Sequence, residues 1–484
     1  MSSSAPSKRH MLGGTIRIFL AEALLLPTGI LTAAFLTRKL GAEGYGLFTL
    51  AATIVSWVGW SLTSIFTRAT IKFVGETEDW RPVGATVLRL HLWVGGGAML
   101  LIWLLADGVA MLLREDAIAG YLRLFALDIP LFCLAYAHRS ILVGVGGFSQ
   151  RAIATASRWM ARLVLILLLV EMGISIWGAI LGSVGASLVE LVICRFYIRP
   201  SLFARSNFPV QKLWDYGVPL FLFALSMRLY EKLDLFALKI LGGTAAQAGF
   251  YGAAQNLSLI PGIFSLAFAP LLLSTLTRTL YAGDRIAAKK ISRDAMRAVF
   301  LMLPFAGMTA GAAPEIVRLI FGKAFLPAAP LLAVLIFGAL ALAMISITTA
   351  ILTAAGKPDW TFILTAPLLP LAIVGYRWLI PQLGAIGASI VFTSCASLGA
   401  LVTVLAVYRL LQVLPPHQTI WRTILVCGLA HAIATYWSVV GFWLVLKLLA
   451  IAFVILLALL LLGEFTKSEI SSISSMIRLS KLSK

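Results

Sequence analysis

The stretch AFLTRKLGAEGYGLFTLA, Ala34 to Ala51, decides the fold because it occurs twice in recognisable form. It closes an apolar segment with cations and Leu-Gly, passes through a short polar loop, and opens the next apolar segment with a Gly-aromatic pair. The stretch LFALKILGGTAAQAGFYGAA, Leu235 to Ala254, has these features in the same order. Gly41 of the first copy therefore corresponds to Gly242 of the second.

Two further matches follow at a nearly constant offset. ILVGVGGFSQ (Ile141–Gln150) is similar to ILTAAGKPDW (Ile351–Trp360), and WGAILGSVGAS (Trp177–Ser187) is similar to LGAIGASIVFTS (Leu383–Ser394). Each match is short, but their common order and spacing indicate an internal duplication of a unit of about 205 residues.

The composition indicates an integral membrane protein. Of the 484 residues, 60% are hydrophobic and only 12% are charged, and the mean hydropathy is +0.97. This is too little charge for a water-soluble domain of that size. The four cysteines stand singly within apolar runs and the five histidines are scattered, so we predict no metal site and no other cofactor.

Apolar runs long enough to cross about 30 Å of hydrocarbon recur along the whole chain. Breaks at Gly, Pro and charged residues divide them into fourteen predicted spans, and the first of these is expected to be an uncleaved span rather than a signal peptide. Their approximate bounds are residues 12–37, 46–67, 84–112, 118–144, 152–171, 176–198, 213–240, 248–275, 293–320, 328–353, 360–380, 384–410, 420–438 and 441–463.

The net charge of +19 is distributed unevenly between the two sides of the membrane. If the N-terminus is cytoplasmic, most Lys and Arg residues fall on the cytoplasmic side. Those on the opposite side are Arg38, Lys39, Arg114, Arg123, Lys239, Arg318, Lys323 and Arg377. This asymmetry predicts that both termini are cytoplasmic, and it explains the positive charge without a nucleic-acid partner.

The duplication also predicts the domain organisation. Six spans are an even number, so both copies enter the membrane from the same side and should be related by an axis along the membrane normal. The predicted domains are an N-terminal six-helix bundle (residues 1–211), a C-terminal six-helix bundle (212–411), and two additional helices with a cytoplasmic tail (412–484). Such bundles are typical of alternating-access transporters, which rock about a central site.

Four segments carry a family resemblance: the first hairpin after span one, the run Leu233–Pro261, APEIVRLIFGKAFLPAAPLL (Ala313–Leu332), and LTAAGKPDW (Leu352–Trp360). They resemble the polysaccharide-transport branch of the multidrug/oligosaccharidyl-lipid/polysaccharide exporter superfamily. The resemblance implies an all-α polytopic, MATE-like fold of two six-helix bundles plus two C-terminal helices. It also implies the transfer of a polyprenyl-diphosphate-linked oligosaccharide to the outer leaflet of a bacterial inner membrane.

The seventh span carries five charged residues, and four of them lie within two helical turns. At about 100° per residue, the cations Arg228, Lys232 and Lys239 form a narrow stripe, and the acids Glu231 and Asp234 lie on one flank of it. Exposing the clustered charges to lipid would cost roughly 10 kcal/mol, so they should face protein or a watery cavity.

Two roles are open for this cluster. It is either a self-neutralising set of ion pairs that ties helices together, or a site for cargo and coupling ion. In the second role, Arg228 and Lys232 contact the diphosphate of the cargo, while Asp234 or Glu231 binds a cation or proton. The family resemblance favours the second role for Asp234.

The first span supplies two further candidates. Arg17 and Glu22 lie in its inner half but diverge by about 140° around the helix axis, so each needs another partner. According to the duplication, this span should occupy the same position in the first bundle as the seventh span does in the second. Arg17 is therefore a candidate for cargo binding, unless it only reaches the membrane surface, and Glu22 is a candidate for charge pairing or ion coupling.

The fifth span carries Arg151, Arg158 and Arg162 on one face. Arg158 and Arg162 lie deep enough to line a cytoplasmic vestibule, where a guanidinium binds two phosphate oxygens at once. The alternative is that they only orient the span. In the ninth span, Glu315 is expected to pair with Arg318, one turn later.

No signature for nucleotide binding, zinc or nucleophilic catalysis occurs in the sequence. We therefore expect a flippase rather than an enzyme, with membrane lipids, a coupling ion, a polysaccharide polymerase and glycosyltransferases as its expected partners. Two other classes stay open. One is an ion-coupled drug or small-molecule antiporter of the same fold, which favours acidic, aromatic-lined cavities; the other is a polytopic enzyme of polysaccharide assembly, which normally carries a large soluble loop.

Overall fold

The architecture is described by a computed structural model that covers residues 17–18, 20–202, 208–214 and 232–465. Within these ranges the ordered elements are helices, and no strand occurs. This is the expected result for a chain in lipid, where a helix satisfies every backbone hydrogen bond internally.

The helices account for nearly all of the described chain. A π-helical turn, Val170–Ile174, lies between α5 and α6, and a 3₁₀ turn, Lys323–Ala328, precedes α13. In chain order the helices are α1 (Leu25–Glu76), α2 (Arg81–Leu113), α3 (Ala117–Phe125), α4 (Asp128–Gly144), α5 (Phe148–Leu169), α6 (Ser175–Tyr197), α7 (232–240), α8 (Ala245–Ser258), α9 (Ile260–Tyr281), α10 (Arg285–Phe300), α11 (Leu303–Gly311), α12 (Ala313–Ile320), α13 (Ala329–Ala354), α14 (Pro358–Thr365), α15 (Leu368–Leu411), α16 (His417–Tyr436) and α17 (Trp443–Leu461).

Glycines divide the longest helical stretches at the predicted loops. Gly41 breaks α1 with a φ of 69°, Gly173 separates α5 from α6 with a φ of 87°, and Gly384 breaks α15 with a φ of 56°. Positive φ favours glycine because it has no Cβ. Each of these stretches therefore holds two of the predicted spans, although it runs almost continuously along the chain.

The predicted all-α, polytopic fold is confirmed. Eight helical stretches of the described residues are long and apolar enough to cross a membrane, or nine if the bent pair Arg285–Gly311 and Ala313–Ile320 forms one span. Three of the eight are the stretches that hold two predicted spans each, so the number is consistent with about fourteen spans. The predicted seventh span, residues 213–240, lies largely outside the described residues.

Contacts divide the chain into two compact units. The first comprises the residues up to Asn256 together with Leu369–Ala388, and the second comprises Leu257–Leu368 together with the residues from Ser389 onward. The predicted bundle boundaries after residues 211 and 411 follow the duplication rather than these contacts, and they stay a prediction.

In the first unit, helices approach each other closely at glycines. A Cβ on Gly182 of α6 would lie 2.7 Å from the Ile166 nitrogen of α5, so these two helices form a tight antiparallel hairpin. The two copies of the repeated hairpin also meet here. A Cβ on Gly46 of α1 would overlap the Ala245 carbonyl oxygen, and one on Gly249 of α8 would overlap the Ala42 carbonyl oxygen.

In the second unit, buried ion pairs attach the last two helices. Lys447 of α17 is fully buried and donates to Glu315 of α12 at 2.8 Å. The prediction that Glu315 pairs with Arg318 was wrong. Its partner is Lys447 instead, because α17 packs against α12 and places this cation beside the carboxylate. Near the other end of α17, Glu464 binds Arg297 of α10 at 2.7 Å and Arg422 of α16 at 3.1 Å.

Candidate functional site

The structure describes six of the eight residues that the sequence singled out for cargo binding or ion coupling. The described ones are Arg17, Glu22, Arg158, Arg162, Lys232 and Asp234, whereas Arg228 and Glu231 lie outside the described residues. The surroundings of these six residues differ in how the charge is compensated, and they are considered in turn.

Arg17 and Glu22 have separate partners, as their divergence around the helix requires. Arg17 is exposed, and its guanidinium donates to the Ser149 hydroxyl at 2.6 Å. Glu22 accepts from the Arg139 guanidinium at 3.0 Å and forms a longer ion pair, 3.6 Å, with Arg151. Glu22 thus joins the first span to α4 and α5.

Glu190 of α6 is the centre of a buried charge network. Its carboxylate is completely buried and pairs with Arg139 at 3.0 Å and with Arg158 at 3.4 Å. The sequence analysis did not single out Arg139 or Glu190. An acid in an otherwise apolar span is a usable signal, because such a residue always requires a partner in the membrane.

Arg158 is held in place from two directions. Besides its ion pair with Glu190, its guanidinium lies 4.5 Å from the centre of the Phe132 ring and 5.3 Å from that of Trp159. Such cation–π contacts stabilise a guanidinium most strongly where water is excluded. Arg158 therefore already has a counter-charge and a fixed orientation before any ligand arrives.

Arg162 lies one helical turn after Arg158 and differs from it. Within the described part of the chain Arg162 forms no ion pair within 4 Å and no hydrogen bond, whereas Arg158 pairs with Glu190. The buried Nε atoms of both arginines lack a hydrogen-bond partner, so the ion pair is what distinguishes them. Asp128 acts on both arginines electrostatically, but its own buried Oδ1 also lacks a hydrogen-bond partner.

A cavity of about 120 Å³ lies beside Arg162 in the first unit. Arg162 is the one charged side chain among the described residues that line it. Of the polar lining groups, Trp159 has a buried Nε1 without a hydrogen-bond partner, and the Tyr45 hydroxyl accepts from the Asn256 amide at 2.8 Å. The complete lining is Leu25, Thr28, Gly29, Thr32, Ala33, Leu36, Tyr45, Phe48, Trp159, Arg162 and Asn256.

The arginines of this region outnumber the acids by one. The cations sit on α4 and α5, and the acids on the first span, α4 and α6. They are Arg139, Arg151, Arg158 and Arg162 on one side, and Glu22, Asp128 and Glu190 on the other. A region of low dielectric with an excess of positive charge favours the entry of an anion.

Asp234 of α7 is hydrogen-bonded by neutral donors, and the charge of Lys232 also acts on it. It is completely buried, and it accepts from the Tyr251 hydroxyl at 2.8 Å and from the Gln255 amide at 3.0 Å, both on α8. Lys232 is partly buried, and Lys239, from the same predicted stripe, pairs with Glu115 at 2.6 Å. These contacts tie α7 to its neighbours, and a coupling role for Asp234 stays a prediction.

The cavity could not hold a metal through its own side chains. It has no acid, histidine or cysteine in its lining, and no group of three or more such residues placed to bind a metal ion was found among the described residues. Its buried donors and single cation instead suit a ligand that carries hydrogen-bond acceptors and negative charge.

Comparisons with known proteins identify the family of the chain and proteins of similar fold. The family model described as polysaccharide biosynthesis protein matches residues 35–330. A protein of Shigella flexneri named "Putative O-antigen transporter" is 26% identical over 190 residues, which is 36% of this chain and 44% of the relative, so less than half of that protein is matched.

Two solved structures have a similar fold. Lipid II flippase MurJ in an inward closed conformation has a TM-score of 0.74 at 14% identity, covering 92% of this chain and 98% of that one. An inward-facing multidrug resistance MATE family transporter of the MOP superfamily has a TM-score of 0.62 at 16% identity, covering 82% and 94%. At these identities the likeness concerns the fold, and it confirms the predicted MATE-like architecture.

Proposed function

The chain belongs to the polysaccharide biosynthesis protein family, and on this premise we propose that it is a flippase for a polyprenyl-diphosphate-linked oligosaccharide. The cargo moves from the cytoplasmic to the periplasmic leaflet of a bacterial inner membrane. Both termini lie in the cytoplasm, as the distribution of Lys and Arg predicts. The match to a relative named for O-antigen transport and the fold shared with a lipid II flippase support this proposal.

A single observation carries the proposal, namely the contrast between Arg162 and Arg158. Both are guanidiniums on one face of α5, but only Arg158 has a carboxylate within ion-pair distance in the described chain. Keeping an unpaired cation beside a cavity in a membrane protein is costly unless a ligand supplies the missing charge. An anionic cargo headgroup supplies it, whereas a cationic drug would be repelled.

The predicted binding residues then have different tasks. Arg162 contacts the headgroup directly, and Arg158 holds its neighbour Glu190 in place. Arg228, Lys232 and Arg17 are proposed to guide the diphosphate along the cleft, and Asp234, Glu231 and Glu22 to balance charge or couple an ion. The polyprenyl tail stays in lipid while the bundles alternate between inward and outward access.

The proposal also defines the partners. Glycosyltransferases must supply the lipid-linked oligosaccharide on the cytoplasmic side, and a polymerase or a ligase must consume it on the other. The drive is an ion gradient, the membrane potential, or the gradient of the cargo itself. No covalent chemistry is required of this chain.

The test replaces Arg162 by Ala and by Lys in cells that lack the native copy. We expect export of the polysaccharide to fall at least tenfold in Arg162→Ala, because a charge-assisted hydrogen bond contributes about 1.5–3 kcal/mol. Arg162→Lys should retain part of the export, since it keeps the charge but not the planar fork. The melting temperature of purified Arg162→Ala should not fall, because no described ion pair is lost.

The matched control is Arg123→Gln. Unlike Arg162, Arg123 pairs with an acid, Asp107, and it lies at a partly exposed site on the predicted outer side, away from the cavity. Its replacement should leave export unchanged. Normal export by Arg162→Ala at a normal protein level would contradict the proposal.

A further inference from the structure

The first turns of α10 carry a cluster of exposed cations. The cluster consists of Arg285, Lys289, Lys290 and Arg293, and we call it the α10 cationic face. Among the described residues, none of the four has an ion-pair partner within 4 Å or a side-chain hydrogen bond. Arg297, one turn further along the same helix, differs from them because Glu464 binds it at 2.7 Å.

The packing of α10 fixes the direction of this face. Ala288, Met296 and Val299 are buried on the opposite side of the helix, in the apolar core of the second unit. Asp284 caps the start of the helix, because its carboxylate accepts a hydrogen bond from the Ala287 nitrogen at 2.9 Å. The cations are therefore presented outward by a helix that is both packed and capped.

The position of the face along the helix places it at the membrane surface. The bent pair Arg285–Gly311 and Ala313–Ile320 is apolar enough to form one span, and its start lies on the predicted cytoplasmic side. At about 1.5 Å per residue, Arg293 lies about 6 Å and Lys289 about 12 Å outside Arg297. The headgroup region of a leaflet is about 5–7 Å thick. The cations therefore lie among the lipid headgroups or directly above them.

Two exposed apolar side chains accompany the cations. Tyr281, at the end of α9, is 96% exposed, and Ile286, which lies between Lys290 and Arg293 around the helix, is 85% exposed. Cations combined with exposed apolar groups are typical of helices that contact the membrane interface, where the apolar groups reach the acyl boundary. The depth of the face favours lipid over a soluble acidic protein, which could reach these side chains only by displacing headgroups.

The corresponding loop of the first copy has a different character. It joins the second and third predicted spans, and its exposed residues include the acids Glu76, Glu78 and Asp79. Within α10, by contrast, the one acid is Asp294, beside four exposed cations. Orientation of a span depends on Lys and Arg and is little affected by acids. It therefore does not explain why the second copy presents its cations as a nearly uniform face.

We propose that the α10 cationic face binds the phosphate groups of anionic phospholipids, such as phosphatidylglycerol, in the cytoplasmic leaflet. Lys289, Lys290 and Arg293 contact the headgroups, and Tyr281 and Ile286 enter the boundary between headgroups and acyl chains. These lipids form a preferred shell at the cytoplasmic edge of the second unit. The inference goes beyond the proposed function and does not depend on it, because no cargo takes part in the contact.

The test measures which lipid lies beside the helix. Tyr281→Cys in the full chain is labelled with a fluorophore and reconstituted in vesicles of phosphatidylcholine and phosphatidylglycerol, where one lipid or the other carries a quenching nitroxide. The unsubstituted chain, treated in the same way, corrects for labelling of the native cysteines, which are buried or half-buried.

We expect the nitroxide on phosphatidylglycerol to quench several-fold more efficiently, mole for mole, than the same group on phosphatidylcholine, because each Lys or Arg near an anionic surface favours binding by about fivefold. Added salt should weaken this preference, since exposed charges are screened. Equal quenching by the two lipids would overturn the proposal. Absence of quenching by either lipid would also overturn it and would assign the face to a soluble acidic partner.

A combined variant tests whether the cations cause the preference. Lys289→Gln, Lys290→Gln and Arg293→Gln together should make the two lipids quench about equally. These exposed side chains have no described partner, so the melting temperature of the purified protein should not change. A lipid preference that survives the loss of all three cations would overturn the assignment to α10.

The matched control removes three exposed cations from the same predicted side in the first copy. It combines Arg68→Gln, Lys72→Gln and Arg81→Gln. The preference for phosphatidylglycerol beside residue 281 should persist in this variant. An equal loss in the control would show that the preference reflects the overall charge of the protein rather than the α10 cationic face.

Discussion

In the second copy of the repeated hairpin, the Tyr251 hydroxyl binds a carboxylate of its own chain, whereas in the first copy Tyr45 lies beside a cavity lined by Ala33. At the position of Asp234 the first copy has Ala33, which lines a cavity that Arg162 also borders. The two copies of a duplicated scaffold therefore need not carry the same polar groups at corresponding positions.

The two copies also differ in how they compensate buried acids. Glu190, in the first copy, forms ion pairs with two arginines. Asp234, in the second, accepts hydrogen bonds from a hydroxyl and an amide and interacts with the charge of Lys232. Removing one partner of a buried ion pair leaves an uncompensated charge, which costs a large free energy. Removing a neutral hydrogen-bond donor or its acceptor costs less. The predictions below test this difference.

The largest effect is expected at Glu190. Glu190→Ala leaves Arg139 and Arg158 buried without their shared carboxylate, so we expect the free energy of unfolding to fall by about 3–5 kcal/mol. Chemical denaturation in detergent measures this loss. Glu171→Ala is the control, because the pair of Glu171 with Lys39 is about half exposed and such pairs contribute at most about 1 kcal/mol. Equal losses in both variants would refute the prediction.

Gly46 and Gly252, near the starts of the second helices of the two copies, are both closely packed but against different kinds of atoms. A Cβ on Gly46 would overlap a backbone carbonyl, which cannot turn away, whereas one on Gly252 would lie 2.7 Å from a side-chain methyl group of Thr49, which can. We expect Gly46→Ala to destabilise by about 3 kcal/mol and Gly252→Ala by about 1 kcal/mol. Thermal unfolding of both variants checks the order, and the reverse order would show that the two copies do not pack as described.

Two variants of Asp234 distinguish a structural role of this residue from a role in ion coupling. Asp234→Ala removes the acceptor from Tyr251 and Gln255 and should cost about 1–3 kcal/mol. Asp234→Asn keeps an acceptor and should cost less. Export is then measured in the Asn variant under an imposed pH or sodium gradient. Unchanged export would limit Asp234 to tying α7 to α8, and complete loss with normal stability would support ion coupling.

The smallest effects are expected from the two tyrosines. Tyr251→Phe removes one donor to a buried carboxylate and should lower stability by about 1 kcal/mol without a specific loss of export. Tyr45→Phe should instead reduce export more than stability, because Tyr45 lines the cavity. For each variant, the loss of export is measured and compared with the loss of stability. The same relation between the two losses in both variants would argue that the two tyrosines have equivalent roles.

The sequence predicted the fold well because lipid leaves few alternatives. Span lengths follow from the thickness of the hydrocarbon, and the loops fall at glycines such as Gly41 and Gly384, whose positive φ ends a helix. The π-helical turn before α6 and the bend between α11 and α12 were not predicted, because apolar periodicity does not report where a helix deviates inside a span.

The site was only partly predictable, because its ion pairs join distant parts of the chain. Glu22 and Arg139 are separated by 117 residues, and Glu315 and Lys447 by 132, so local spacing proposed the wrong partner for Glu315. Arg158 and Arg162 are alike in residue type and nearly alike in depth. Only the position of Glu190 distinguishes the paired arginine from the one that faces the cavity.

The attachment of the last two helices has a consequence for how the protein is made. Glu315 and Arg297 enter the membrane early during translation, but their partners Lys447 and Glu464 are synthesised later. The separations are 132 residues for Glu315 and Lys447 and 167 residues for Arg297 and Glu464. The charges of α10 and α12 therefore gain these partners only when the last helices pack against them, and we expect those helices to be needed for stable folding of the second unit.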